Sequence, residues 1–444
     1  MFNILFIVVE CLRADHVSAY GYERKTTPNI DELAKRGALA RKAVTQSSFT
    51  VASAASILTG VYPEVHGAIG FYDRLPSHLV TLPEYLSRYG FHTTCFEGMN
   101  AFSGPWGLGR GFNRVESFKQ EKQKRGLDRA RADEISSSFV DYITHSKASD
   151  QPFFSLLWFA ETHDPRLTPE AERRYFGKSD GSNVRLDQYD GAIRYIDQYI
   201  GRILEALDKS SLLGDTFIVV TGDHGDVFDE HYWMEGRLIA DLLYRLPVFN
   251  FKRILTRNGY VGHIGIPPYE EVIHVPLIMK FPQDKYKGEV EGQMELIDLF
   301  PTTLDLLNLK TEKITLQGRS IIPDLKGNQN GKKVVFTYTK PLYSSALFTC
   351  ARDNEFKFVK VYPPDINIKN ISADRRLFIT SRIWSGEKVF KVGTSEKQDF
   401  SKEYPERLQA LRGELLLWRE RNRTLKEKLR LYKAISRVKV SNQI

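Results

Sequence analysis

Cysteine is scarce in this 444-residue chain: Cys11, Cys95 and Cys350 are odd in number and far apart. A disulfide framework is therefore excluded, and a reducing compartment is the expectation. Long apolar runs are missing too. No stretch approaches the roughly 20 apolar residues that a membrane span needs. The first run, 2 to 9, has no basic segment before it and Glu10, Arg13 and Asp15 just behind it. It reads as a first strand rather than a signal peptide. These absences lead to the expectation of a cytoplasmic protein with no integral membrane anchor.

What is present suffices for a large core. Hydrophobic residues make up 42% and charged residues 27%, a balance that excludes a disordered chain. The length allows one large α/β domain and a smaller one. A net charge of +8 raises the question of nucleic acid. Much of the excess lies in 402 to 439, however, where Arg407, Leu408, Leu411, Leu415 and Trp418 recur at helical spacing. An amphipathic helix with a solvated basic face explains that pattern, and no nucleic-acid partner is expected. The same helix leaves a homodimer open.

Short β-rich runs at 2 to 9, 91 to 97, 153 to 159, 216 to 221 and 275 to 281 alternate with helical patterns. The latter fall at 28 to 37, 82 to 89, 128 to 144, 186 to 208 and 295 to 307. The alternation predicts a doubly wound, mostly parallel sheet flanked by helices over 1 to 330. Ligands of such sheets bind beyond the carboxyl ends of the strands, which is where Glu10, His163 and Asp223 fall. From 331 to 444 the texture changes to short antiparallel segments, 334 to 339, 345 to 352 and 356 to 361, followed by the long helix: a smaller C-terminal α+β subdomain. Segment 231 to 262 interrupts the first domain and reads as an insertion, a lid or a partner surface.

Chemistry concentrates at the strand ends. Val219 to Gly225 carries an apolar strand into Asp223 and His224, two metal-ligand types, and then a glycine. Glu10 closes the first run, and Thr50 opens a small-residue stretch that reads as a loop entering a helix. Taken singly, each has a plain structural reading: Asp223 capping a turn, Glu10 pairing with Arg13, Thr50 capping a helix, His163 shaping a turn. Taken together, they form a carboxylate, hydroxyl, carboxylate and imidazole set suited to a metal-activated nucleophile.

The order of these words resembles the sulfatase branch of the alkaline phosphatase superfamily. The resemblance runs through Leu12-Arg13-Ala14-Asp15, Tyr20-Gly21-Tyr22, Thr27-Pro28-Asn29, Ser56-Ile57-Leu58-Thr59-Gly60, His66-Gly67, Thr162-His163-Asp164-Pro165, Tyr189-Asp190-Gly191, Asp223-His224-Gly225, Gly262-His263 and Asp298-Leu299-Phe300-Pro301. It implies an alkaline phosphatase-like fold and a metal-dependent hydrolase or transferase acting on an anionic small-molecule ester. One word departs from the family. Sulfatases resemble one another in a Cys-x-Pro-Ser-Arg word whose first residue is oxidised to formylglycine, and here the corresponding residues are Thr50-Val51-Ala52-Ser53-Ala54. Threonine cannot undergo that oxidation, and the arginine that helps hold sulfate is Ala54.

The substitution tilts the expected substrate. An aldehyde hydrate expels sulfate by elimination at carbon, an escape that a sulfated threonine lacks, whereas a phosphorylated threonine can be attacked by water or an acceptor alcohol. Glu10, Thr50, Asp223 and His224 match, residue by residue, the single-metal site of the phosphoethanolamine and glycerophosphate transferases. The resemblance implies a divalent ion held by Glu10, Asp223, His224 and Thr50. This mixed oxygen and imidazole set favours Zn²⁺ or Mn²⁺, with Ca²⁺ or Mg²⁺, usual for sulfatases, as alternatives. His163 and His263 resemble the substrate-side positions of the family and join Thr50 as catalytic candidates. His66 is expected to support the nucleophile loop, Arg13 and Asp15 to pair beneath the site, Cys11 to be a soft ligand or a buried thiol, and His231 to be a second-metal candidate. The expected reaction is cleavage of phosphate mono- or diesters through a covalent Thr50 intermediate. The alternatives are a sulfatase without formylglycine and a catalytically inactive binding relative.

Overall fold

The computed structural model describes residues 1–118, 132–146, 151–177, 184–228, 267–311, 314–327, 331–340, 347–362, 386–394, 396 and 398–441. His231, His263 and the insertion at 231 to 262 lie outside these described residues.

The first strand, β1 (Asn3–Val9), explains much of the architecture. Every one of its residues is buried, because both of its faces are covered. Period-2 alternation sends Ile4, Phe6 and Val8 into one apolar core and Leu5, Ile7 and Val9 into the other. Helix α1 (Pro28–Lys35), opened by a proline in its first turn, packs on the second side through Ile30 and Leu33. After β2 (Ala38–Val44), helix α2 (Thr50–Thr59) packs on the first side, and all of its residues are buried. Helices α3 (Pro63–His66) and α4 (Leu82–Ser87) follow. Strands β3 (His92–Glu97), β4 (Arg114–Ser117) and β5 (Phe153–Phe159) then alternate with α5 (Ala132–Asp141). Helices α6 (Glu170–Arg173) and α7 (Val184–Lys209) lead into β6 (Thr216–Gly222).

After β6 come the short strands β7 (His274–Val275) and β8 (Leu277–Lys280), then β9 (Gly288–Glu295). The sheet has nine strands in the order β4-β3-β5-β1-β6-β8-β2-β7, with β9 pairing β2. The path from β4 to β6 is parallel throughout. The expected doubly wound, mostly parallel sheet flanked by helices is present, together with a separate antiparallel sheet. One expectation needs correction: the run at 275 to 281 is two strands divided at Pro276, and it pairs antiparallel with β6 and β2. Proline lacks the N–H that a continuous ladder needs. Strands β2, β4 and β9 escaped the sequence reading. Ala38–Val44 carries Arg41 and Lys42 in mid-strand, and Arg114–Ser117 and Gly288–Glu295 are largely polar, so an apolar-run criterion passes over them.

The second sheet is β10 (Val335–Thr339), β11 (Leu347–Arg352), β12 (Phe356–Tyr362) and β13 (Gly386–Lys391), all antiparallel. The 37-residue helix Pro405–Ser441 lies against it and buries Leu411, Leu415 and Trp418. The Trp418 ring stacks on Phe336 at 4.9 Å and meets Tyr62 edge-on at 5.0 Å. Farther along, Arg419 pairs with the Glu64 carboxylate at 3.1 Å and Lys426 donates to the Glu64 carbonyl at 2.9 Å, tying the helix to α3. Among the described residues no helix is long and apolar enough to cross a membrane.

Trp418 is the anchor of this contact. Truncation to Trp418→Ala should cost about 3 kcal/mol or more of unfolding free energy, as buried aromatic deletions do. A denaturant midpoint within error of wild type would show that the helix is not held through this ring.

Candidate functional site

Parallel pairing sets the level of the site. Val9 lies opposite Phe159 on one side and opposite Gly222 on the other, so β5, β1 and β6 end together. The chain therefore delivers Glu10, the loop Ala160–His163 and Asp223 to one edge. Glu10 follows Ile4, Phe6 and Val8 in the alternation, on the side of the sheet that α2 covers.

Thr50 is the first residue of α2, and Phe49 occupies the N-cap with no side-chain cap bond. The capping role left open for Thr50 is thus not the one its hydroxyl plays. Instead, Thr50 Oγ1 lies 3.1 Å from His224 Nε2 and 3.4 Å from Glu10 Oε1. Ser53, one turn on, donates to the Asp223 carbonyl at 2.7 Å and fastens the helix to the end of β6.

Asp223 divides its two oxygens. Oδ1 accepts from the backbone N–H groups of Cys11 and His224, each at 2.9 Å. Oδ2 is buried without a hydrogen-bond partner and faces His224 Nε2 at 3.3 Å. The imidazole orientation is set from behind, since His224 Nδ1 donates to the Gly225 carbonyl at 2.8 Å. A carbonyl can only accept, so Nδ1 carries a proton, and in the neutral ring Nε2 turns a lone pair toward the site. In that form two lone-pair donors, Asp223 Oδ2 and His224 Nε2, face each other in a buried place. The geometry fits a cation, and the Nδ1–carbonyl bond is the usual support of a ligating histidine. Gly225 is required here because a Cβ would come within 1.9 Å of the Glu271 carbonyl.

On the other side of Glu10, His163 Nε2 lies 3.9 Å from Glu10 Oε1. Its side chain is 23% exposed, against 1% for Glu10, so it stands on the solvent side of the group. A carboxylate oxygen of Glu10, the sulfur of Cys11 and a ring nitrogen of His163 lie within 4.8 Å of one another. Arg13 pairs with Asp15 at 2.7 Å and also donates to the Asp226 carbonyl.

Several supporting residues had no sign of their own in the sequence. Tyr189, in α7, donates to the Cys11 carbonyl at 2.7 Å and accepts from the Arg13 N–H at 3.0 Å. Thr162 hydrogen-bonds the Glu10 carbonyl. The buried Glu161 accepts from the Ala132 N–H at the start of α5, and burial pushes its carboxyl up to about 7 against those backbone hydrogen bonds. Tyr189 belongs to the quoted Tyr189-Asp190-Gly191 word, which was its only available signal.

His66 meets α2 at Ser56, farther along the helix than Thr50. It contacts Ser56 Oγ at 3.1 Å, and its Nδ1 accepts from the Ala68 N–H. Burial holds its pKa down at about 3, so the ring is neutral and structural.

The sequence model of the Sulfatase family matches residues 2–309. The chain belongs to the sulfatase family. Its sheet and its structural neighbours bear out the expected fold. An arylsulfatase of Clostridium perfringens is 24% identical over 393 residues, covering 69% of this chain and 75% of the relative. The multifunctional alkaline phosphatase superfamily protein PehA of Trinickia caryophylli is 25% identical, over 73% and 77% of the two chains. The crystal structure of the phosphonate monoester hydrolase of Agrobacterium radiobacter shares the fold, with a TM-score of 0.68 at 18% identity, covering 95% and 96% of the two chains.

His66 gives a measurable consequence. Its folded pKa is below the unfolded value, so between about pH 6.5 and 3 the unfolded state binds the extra proton and stability falls as pH falls. The contribution approaches about 1 kcal/mol per pH unit in that window. His66→Gln should flatten the acid limb of a stability-against-pH curve, and an unchanged slope would refute the neutral buried ring.

Proposed function

We propose that this sulfatase-family hydrolase cleaves phosphate mono- or diesters with Thr50 as nucleophile. The observation that carries the reading is the contact of Thr50 Oγ1 with His224 Nε2 and Glu10 Oε1 at the N-terminus of α2. An ordinary threonine hydroxyl is a poor nucleophile, so the surroundings must activate it. A divalent cation held by Glu10, Asp223 and His224, with Thr50 as the fourth donor, would supply Lewis acidity toward the ester and lower the pKa of that hydroxyl.

The chain's own groups account for the remaining demands. Thr50 Oγ releases its proton to solvent and attacks phosphorus; an Oγ–P bond forms and the ester P–O bond breaks. The leaving oxygen takes a proton from His163, the solvent-side member of the group. Water, or an acceptor alcohol in a transferase, then displaces Thr50 and restores the hydroxyl. The positive end of the ten-residue α2 faces the phosphoryl oxygens. Ala54 and the unoxidisable Thr50 remove the two features on which formylglycine chemistry at sulfate depends.

Sulfate-ester hydrolysis is the second reading, favoured by the family and by relatives such as the Clostridium perfringens arylsulfatase. The two are separated by assaying metal-loaded protein on matched aryl phosphate, phosphodiester, phosphonate and sulfate esters. Turnover of a phosphorus ester should lead, and it should fall by at least about 10³-fold in Thr50→Ala. A phosphorylated Thr50 peptide should be recovered after acid quench. Faster sulfate turnover, or activity surviving Thr50→Ala, would sink the phospho-threonine mechanism.

A further inference from the structure

Cys11 holds a backbone conformation that its residue type disfavours. Its φ is +59°, in the left-handed region, where a side chain with a Cβ costs on the order of 1 kcal/mol. The surroundings impose it. The Cys11 N–H is bound by Asp223 Oδ1, its carbonyl by the Tyr189 hydroxyl, and the next N–H but one, that of Arg13, by the same hydroxyl. On the upstream side, the Glu10 N–H donates to the Phe159 carbonyl at 2.9 Å. Tyr189 thus brackets the turn from α7, and Cys11 is fully buried. The conformation brings its sulfur into the group with the Glu10 carboxylate and the His163 ring.

Two independent features point this thiol at a ligand. The first is the donor group itself, in which the Cys11 sulfur and a Glu10 carboxylate oxygen lie within 4.8 Å of each other, close enough to share a small cation, since tetrahedral Zn²⁺ ligands stand only about 3 to 4 Å apart. The second is the Asp223 Oδ2 atom, fully buried, without a hydrogen-bond partner, on the carboxylate whose other oxygen holds the Cys11 N–H. The Cys11 backbone and the Asp223 carboxylate are joined by the hydrogen bond from the Cys11 N–H to Oδ1.

We propose that Cys11 is a thiolate ligand of the same cation, giving a sulfur-containing site that selects a thiophilic divalent ion of the Zn²⁺ class over Mg²⁺ and Ca²⁺. The inference rests on the metal-bearing reading above and adds the ligand that decides the ion. On binding, the Cys11 S–H bond breaks, its proton passes to solvent, and sulfur donates its electron pair to the cation. Hard cations that take oxygen donors gain little from this sulfur, and borderline cations gain much. Cys95, in β3, and Cys350, in β11, lie in other cores.

The test is cobalt substitution of the full chain. Metal-free protein titrated with Co²⁺ should develop a near-ultraviolet thiolate-to-cobalt charge-transfer band, and Cys11→Ser should bind Co²⁺ without it. In competition, the preference of Cys11→Ser for Zn²⁺ over Mg²⁺ should fall by on the order of tenfold or more. X-ray absorption of zinc-loaded wild type needs no variant and should show one sulfur at about 2.3 Å. Stoichiometric binding with an all-oxygen-and-nitrogen shell, or a band that persists in Cys11→Ser, overturns the thiolate ligand and leaves the Thr50 mechanism standing. Failure of wild type to bind any of the ions overturns both.

Discussion

The common ending of β5, β1 and β6 is the constraint on which the rest depends. Parallel ladders with Val9 level between Phe159 and Gly222 bring three distant parts of the chain to one edge, and no local preference of Glu10, His163 or Asp223 could do so. The sheet is buried on both faces, so a slip of β1 by one residue would exchange its two apolar sets and move Glu10 away from α2. The geometry of the candidate site and core packing are therefore set by the same register.

Within that frame the site is held by backbone groups more than by side-chain pairs. Asp223 uses one oxygen to bind two backbone N–H groups, from Cys11 and His224, and so locks the end of β6 to the turn after β1. Ser53 locks α2 to the Asp223 carbonyl, and Tyr189 closes the turn from behind. His224 Nε2 lies between the Thr50 hydroxyl at 3.1 Å and Asp223 Oδ2 at 3.3 Å, and that Asp223 oxygen is buried without a hydrogen-bond partner. In a buried setting such a set is costly by itself, which is the physical reason to read it as a cation site.

Much of this was legible in the sequence, for identifiable reasons. Strands β1, β5 and β6 are apolar on both faces and stood out as runs, while the alternation with helices fixed the fold class. Glu10, Thr50, Asp223 and His224 were visible through their positions at the ends of those runs and through ordered family words. Strands β2, β4 and β9 were not visible, because edge and half-polar strands carry no apolar run. The antiparallel entry of β8 was hidden as well, since strand direction is a property of the connection and not of the residues.

The sequence by itself determined the chemistry on offer: an unoxidisable threonine, two carboxylates, imidazoles and a thiol, in a chain rich enough in apolar strands to bury them. Only the tertiary structure decided which of these meet. It turned the Thr50 hydroxyl toward Glu10 and His224 instead of into a helix cap, paired Arg13 with Asp15, and set His66 against Ser56 of α2 as a neutral ring. It also forced Cys11 into a left-handed turn beside the carboxylates. Those outcomes follow from long-range ladder register and from hydrogen bonds between residues as much as 212 positions apart, which local sequence does not encode.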